Sequence, residues 1–388
     1  MTARTSQPTL AFCLLNYFPY GGLERDMLAI ASACRRRGCT IRVYTPSWQG
    51  DQPSWLEVRV LACAGLTNHG KVRHFVDRLS DALASDPVDL VVGFNKMPGL
   101  DVYYAADGCY KAKALAERGA LYRMTGRYRQ YQAFEEAVFG PDSRTQILII
   151  SEPQAELFVR CYHTPQSRMH RLPPNVSHDR CAPPNADEVR ASFRQEFGLG
   201  PQDRLLLMIG SWFSRKGVDR SIHALAALPS RVSEITRLFV VGTDDSRGYL
   251  RLARRLGVDR QIRFLGARGD VARFLLGADL LLHPARYENT GTVIVEALAA
   301  GLPSIVSGAC GYAHYVQEAE AGWVIPEPLD QEVFNRLVHD ALTSGPLLRY
   351  RENALAFAAK EDLYGMVDAA VAVIEKVLAD RLAVAACP

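Results

Sequence analysis

Glu288 and Glu296 share the segment RYENTGTVIVEALAAGLPSIV, which runs from Arg286 to Val306. Glu288 follows the apolar run DLLLHP, and Asn289, Thr290 and Gly291 read as the capping turn of a helix that begins near Thr292. A helix that starts beyond a parallel strand presents unpaired N–H groups to a phosphate. Glu296 falls inside that helix, in the otherwise apolar run VIVEALAAGL. An ionised carboxylate there is costly unless hydroxyls or cations meet it, so a hydroxyl-bearing ligand is one reading and a surface glutamate on an amphipathic helix is the other. In LLLMIGSWFSRKGVDRSI, Leu205 to Ile222, an apolar run ends in a polar turn with Arg215 and Lys216 just ahead of a helix. Adjacent cations so placed suit a diphosphate, the guanidinium by paired contacts and the ammonium as a point charge. A solvated basic turn is the plainer account. The spacing is not a Walker A motif, which disfavours a nucleoside triphosphatase. Near the N-terminus, NYFPYGGLERD sets Gly21 and Gly22 before a helical pattern of Leu23, Met27, Ile30, Ala31 and Cys34. Missing Cβ atoms there permit close backbone approach to a ligand, unusual dihedrals or an ordinary tight turn, and the GxGxxG spacing of a dinucleotide fold is absent.

These residues need elements to hold them. Short apolar runs without clean alternation are interleaved with longer segments of helical period, the pattern of a parallel sheet covered on both faces. Strands are expected near Leu10–Leu15, Ile41–Tyr44, Val58–Leu61, Leu90–Val92, Val102–Ala105 and Ile147–Ile150. A second set is expected near Leu205–Ile209, Leu238–Val241, Ile262–Leu265, Leu280–Leu282, Ser304–Val306 and Trp323–Ile325. The expected fold is therefore α/β, two doubly wound parallel-sheet domains facing each other across a cleft, with ligands beyond the carboxyl ends of the strands. At 388 residues the chain exceeds one ordinary core. The proline-rich stretches LPPN and CAPPN suit the connection, which puts residues 1–174 in the first domain and 175–362 in the second. An amphipathic helix follows within 363–388, and the sequence leaves open which domain receives it.

Composition narrows the function. With 48% hydrophobic and 22% charged residues and a net charge of +3, the chain has neither a disordered composition nor a whole-protein nucleic-acid footprint. Its nine cysteines, Cys387 the last, show no paired-ligand spacing, which argues against a zinc site or a disulfide framework. No metal or cofactor is expected. The run Leu10–Leu15 is short for a signal peptide, and no apolar stretch is long enough to cross a bilayer. A cytoplasmic protein, soluble or loosely attached to a membrane, is expected.

Together the Glu288-x7-Glu296 spacing, the Arg215-Lys216 turn and the Gly21-Gly22 loop, in this order, resemble the retaining GT-B glycosyltransferases of family four. The strings YFPYGGLERD, RVYTPSW, TNHG, VVGFNKMPGLDVYYAAD, RKGVDRSI, LLLHPA, AGLP and CGYAHY are similar, over nearly the whole chain, to the lipopolysaccharide core glucosyltransferases of that family. The resemblance implies two facing Rossmann-like domains, the first on the acceptor side and the second binding the nucleotide sugar. It implies retaining, metal-independent transfer of a hexose, glucose first, from a UDP-sugar to an inner-core heptose of lipopolysaccharide at the cytoplasmic face of the inner membrane. By position Glu296 would hold the ribose hydroxyls and Glu288 the donor sugar hydroxyls. Arg215 and Lys216 would hold the diphosphate and stabilise the charge that grows on it. Arg268, in RFLGARGD, matches the turn that contacts uracil, with a plain surface arginine as the alternative. Asp107, in VYYAADGC, matches a residue of the catalytic cleft, with a helix cap as the alternative; Asp101 and Asp26 are weaker candidates. Retention is open to same-face attack or to a covalent intermediate on Glu288 or Asp107.

Small apolar residues follow the first glutamate in the glucosyltransferases, whereas Asn289 and Thr290 stand here, so a galactose or N-acetylhexosamine donor is the alternative. A sugar-nucleotide epimerase of similar build and a non-catalytic membrane-surface adaptor on the same scaffold are the rival functions. The segment from Lys111 to Phe139 groups Lys111, Lys113, Arg118, Arg123, Arg127 and Arg129 with Tyr122, Met124, Tyr128 and Tyr131. Cations among aromatics suit an anionic membrane surface, with Lys111, Lys113, Arg123, Arg127 and Arg129 as the contacts, and a solvated basic helix is the plainer account.

Overall fold

Each apolar run is long enough for a short strand and has no polar face to spare, so a sheet can bury it only by being covered on both sides. In the computed structural model, which describes residues 7–19, 21–344 and 346–386, the runs form two parallel sheets. The first contains β1 (Thr9–Cys13), β2 (Thr40–Thr45), β3 (Glu57–Val60), β4 (Leu90–Gly93), β5 (Val102–Ala105), β6 (Gln146–Ile149) and β7 (Met169–Arg171) in the order β3-β2-β1-β4-β5-β6-β7. The second contains β8 (Arg204–Ile209), β9 (Thr236–Val241), β10 (Ile262–Phe264), β11 (Leu280–His283), β12 (Ser304–Ser307) and β13 (Gly322–Ile325) in the order β10-β9-β8-β11-β12-β13. All strands anticipated from the sequence are present. The additional edge strand β7, Met-His-Arg, is short and partly exposed, so it carries no apolar run by which to be read.

The chain divides into two compact units: unit 1 runs to Pro173 and resumes at Gly365, and unit 2 is Pro174–Tyr364. Successive residues of β1 serve opposite cores in unit 1. Leu10 and Phe12 pack with Met27, Ile30 and Cys34 of the helix Gly22–Arg36, whereas Ala11 and Cys13 face Phe75, Phe139 and Phe158. The helix Met366–Ala386 joins the first of these cores through Met366, Ala370, Ile374 and Leu378, a stripe at helical spacing, and so belongs to unit 1. In unit 2, β8 alternates likewise: Leu205 and Leu207 face one core, Leu206 and Met208 the other. At roughly 1.5–3 kcal/mol for each fully buried large apolar side chain, these double-sided cores are what commits the runs to a sheet interior.

In both units the winding reverses beside the first strand, between β1 and β4 and between β8 and β11. Such a reversal opens a crevice beyond the carboxyl ends of the two strands. Of the described cysteines none forms a disulfide; Cys387 lies outside the described residues.

Candidate functional site

The crevice of unit 2 holds the charged residues. The loop after β8 brings Lys216 and Arg215, and the loop after β11 brings Glu288. Lys216 Nζ donates to Glu288 Oε2, and Arg215 Nη2 stands 3.4 Å from the same oxygen. The Lys216 and Glu288 side chains are 12% and 10% exposed, whereas Arg215 is 45% exposed and reaches solvent. Arg286 clasps the two loops, donating to both carboxylate oxygens of Asp219 at 2.9 and 2.6 Å and to the Ser214 carbonyl at 2.7 Å. Its own N–H donates to the Arg215 carbonyl at 2.8 Å. Arg220 adds a bond to the Pro284 carbonyl at 2.9 Å. Between these clasps Gly217 adopts φ +75°, and a Cβ there would overlap the Pro284 carbonyl oxygen. The loops approach this closely only because the residue is glycine.

His283, the last residue of β11, is buried, and its Nε2 makes no hydrogen bond. Burial, reinforced by Lys216 and Arg215, pushes its pKa well below the usual imidazole value, so a neutral ring lies near the cations. Burial likewise pushes the Cys310 thiol up to about 12, which leaves it a packing residue and no nucleophile.

The helix Thr292–Ala299 starts after Gly291, which adopts φ +83°, and no side chain of the turn caps it. Asn289 and Thr290 therefore shape the turn without capping; the Thr290 carbonyl accepts from Tyr312 N–H at 2.8 Å. The Glu296 carboxylate is 15% exposed and lies 3.8 Å from Arg180 Nε. Arg180, between the two proline-rich stretches of the connection, stands in no motif that marks it as a site residue. Arg268 is exposed and engaged in a two-bond pair with Asp270, both bonds at 2.8 Å, with its guanidinium 5.3 Å from the Phe274 ring centre.

The crevice of unit 1 is built differently. Gly21 and Gly22 open a helix, and neither adopts a positive φ. A Cβ on Gly21 would overlap the Glu24 carboxylate, whereas one on Gly22 would meet nothing. The first glycine thus lies against the Glu24 side chain, and neither position depends on an unusual dihedral. Burial raises the pKa of Glu24, its own backbone N–H opposes this, and Asp26 adds to it. Asn95, at the end of β4, accepts from Leu15 N–H at 2.8 Å and donates to Asp107 at 3.5 Å, joining three loops. Asp107 is exposed and does not cap the following helix, Tyr110–Glu117; Cys109 does, through its sulfur. Behind that loop Lys96 donates to the Gly108 carbonyl and to fully buried Glu135, each at 2.6 Å. Glu135 also accepts from Tyr110 N–H, Lys111 N–H and the Tyr162 hydroxyl. Asn95, Lys96 and Glu135 were not legible as site residues, since none stands in a charged or glycine-rich motif. Asp101 lies where β5 begins, at the amino ends of the strands and away from the crevice, and is bound to Val91 N–H and Arg381, which removes it from the site. Asp26 accepts from the Tyr104 hydroxyl at 2.9 Å. The loops after β1 and β2 line a groove of about 580 Å³ with Asn16, Tyr17, Phe18, Ser47 and Gln49.

The basic segment of unit 1 sorts into two sets. Lys111 turns inward, donating to the Cys161 carbonyl at 2.8 Å with its ammonium 4.7 Å from the Tyr162 ring centre, so it is withdrawn from the expected surface contacts. Tyr128 is buried as well. Lys113, Arg123, Arg127 and Arg129 are exposed, and so are Leu115, Leu121 and Met124. No helix of the described residues is long and apolar enough to cross a membrane, and among them no group of three or more His, Cys, Asp or Glu residues is placed to hold a metal ion.

The chain is 45% identical over 366 residues to the lipopolysaccharide glucosyltransferase WaaG of Escherichia coli (strain K12), a match that covers 94% of this chain and 98% of that protein. It belongs to the WaaG family of glycosyltransferases. Residues 189–357, which contain Arg215, Lys216, Arg268, Glu288 and Glu296, match the family model for group 1 glycosyl transferases. The crystal structure of WaaG superposes with a TM-score of 0.87, covering 94% of this chain and 99% of that one. The GT-B architecture of the WaaG family is shared more widely. HepE from Anabaena, solved in complex with UDP-glucose, is 18% identical with a TM-score of 0.70, covering 96% of this chain and 100% of that one.

Proposed function

We propose that this chain transfers glucose, with retention, from UDP-glucose to an inner-core heptose of lipopolysaccharide. The observation that carries the reading is the Arg215–Lys216–Glu288 cluster in the unit 2 crevice, in a chain nearly half identical to a lipopolysaccharide glucosyltransferase. The donor's diphosphate takes the place of Glu288 as the main partner of the two cations. Arg215 and Lys216 then stabilise the charge that grows on the leaving UDP, and no metal is needed for that task. Glu288 accepts from hydroxyls of the donor hexose, and Glu296 from those of the ribose. Arg268, held by Asp270 through Nε and Nη2, meets uracil with its flat face or with the remaining N–H groups. Asn289, Thr290 and Gly291 form the turn beside the donor hexose. The amides, hydroxyl and aromatic rings of the unit 1 groove suit a sugar acceptor, and Gly22 leaves room for backbone approach. Asp107 binds sugar hydroxyls or supports the developing cation.

A screen of UDP-glucose, UDP-galactose and UDP-N-acetylglucosamine against a heptose-terminated core acceptor, read by product mass, tests this. A glucose adduct is expected, unchanged in EDTA. Preference for another donor, strict need for magnesium or manganese, or UDP release without acceptor would replace the reading. The adaptor alternative has no feature of the crevice in its favour.

The acceptor is a phosphorylated glycolipid of the inner membrane's cytoplasmic leaflet. The same proposal therefore sets Lys113, Arg123, Arg127 and Arg129, with exposed Leu121 and Met124, against that anionic surface, each cation near it contributing about 1 kcal/mol. Replacing Arg123, Arg127 and Arg129 together by Gln should cut sedimentation with anionic vesicles and reduce its salt sensitivity while UDP binding persists. Equal sedimentation of variant and parent at low and high salt would remove the segment from this role.

A further inference from the structure

The connection that leads into unit 2 does more than span. It folds back on the helix that carries Glu296: Ala182 N–H donates to the Ala299 carbonyl at 3.0 Å, at the end of that helix. Within the connection, His178, Asp179 and Arg180 make one tight turn. The turn is held from outside. The His178 ring stacks on Tyr364 with centres 4.9 Å apart, Cys181 Sγ lies 3.1 Å from the Tyr364 hydroxyl, and Val176 N–H donates to the Leu363 carbonyl at 2.9 Å. A turn so tied leaves Arg180 little choice of direction, and it points at Glu296. Yet the guanidinium is poorly satisfied. Its Nε and Nη1 are buried and make no hydrogen bond, although Nε lies 3.8 Å from Glu296 Oε1 and 3.7 Å from Asp179 Oδ2.

Two buried guanidinium nitrogens without a hydrogen bond are expensive, so their placement requires a reason. At 3.8 Å, longer than a hydrogen bond, the guanidinium lends positive charge to a carboxylate in an apolar helix. A carboxylate that must accept from two neighbouring hydroxyls of a ribose needs that charge beside it. We propose that Arg180 is a positioning residue for nucleotide binding, which holds Glu296 charged and oriented toward a vicinal diol. The inference rests on the assignment of Glu296 to the ribose.

Calorimetry with UDP and with a UDP analogue lacking both ribose hydroxyls tests it on the full chain. Arg180→Gln should weaken UDP about tenfold or more, the range of a charge-assisted hydrogen bond, and leave the analogue nearly unaffected. Arg180→Lys, which keeps the charge, should recover most of the loss. Glu296→Gln should show the same selectivity, and the double variant should bind UDP no worse than Glu296→Gln alone. If Arg180→Gln weakens both nucleotides equally, or leaves UDP untouched while Glu296→Gln weakens it, Arg180 is not a positioning residue. If Glu296→Gln binds UDP as the parent does, the ribose assignment itself is wrong. Should Arg180→Gln fail to fold, Arg180→Lys alone decides: UDP and the analogue weakened in parallel would overturn the proposal.

Discussion

In unit 2 the loops of the switch point bring a lysine, an arginine and a glutamate to a crevice open to solvent, while unit 1 puts its lysine and glutamate behind the corresponding loops, where Glu135 is fully buried. The winding is the same, β1 beside β4 and β8 beside β11. The same kind of ion pair thus serves two ends. Behind the loop it braces Gly108 and the start of the following helix, and so fixes Asp107. In the crevice it keeps charged groups together where a diphosphate can claim the cations. Position relative to the loop, and not residue type, separates brace from tool.

Breaking each pair should show this. Lys96→Met leaves Glu135 buried without its cation and should cost about 3–5 kcal/mol of stability, read from the urea midpoint. A loss under about 1 kcal/mol would mean the pair is no brace. Lys216→Ala should lower kcat on the order of a hundredfold or beyond, with far less effect on the urea midpoint than Lys96→Met. A variant that keeps turnover but unfolds early would reverse the assignment of tool and brace.

Glycines sharpen the comparison further. Gly217→Ala forces a side chain into a left-handed conformation against the Pro284 carbonyl and should cost roughly 1–3 kcal/mol. Gly22→Ala meets no atom and should leave the melting temperature unchanged. Equal stability of the two variants would show that the loops of unit 2 are not held as closely as described.

The smallest effect is a pH dependence confined to unit 2. The pKa of His283 is depressed in the fold below its ordinary 6.5, so under that pH the unfolded chain takes up a proton that the folded chain refuses. Its contribution to stability is present above pH 6.5 and is lost as pH falls, by about 1.4 kcal/mol per unit until the folded group protonates. His283→Gln should lose less stability than the parent between pH 7.5 and 5.5, by urea unfolding. Parallel losses would mean the ring protonates as readily in the fold as outside it.

Both sheets, the strands except β7, the helix start after Gly291 and the Arg215-Lys216 turn were legible in the chain, because apolar runs and adjacent cations are local patterns. The identity of the family was legible too, through strings such as RKGVDRSI and CGYAHY. What the sequence could not contain is any fact that depends on a partner distant along the chain. Which way Glu296 points is open until its carboxylate is found largely covered, with Arg180 beside it. Asp107 keeps a helix cap as its alternative until Cys109 is seen to take that part, and Lys111 reads as a surface cation until its ammonium is found on the Cys161 carbonyl. The helix Met366–Ala386 shows an apolar stripe from its own residues alone, but a stripe states only that something will cover it. Which core does so is settled by packing against Met27, Ile30 and Cys34, and side-chain fit between elements more than three hundred residues apart has no local signature.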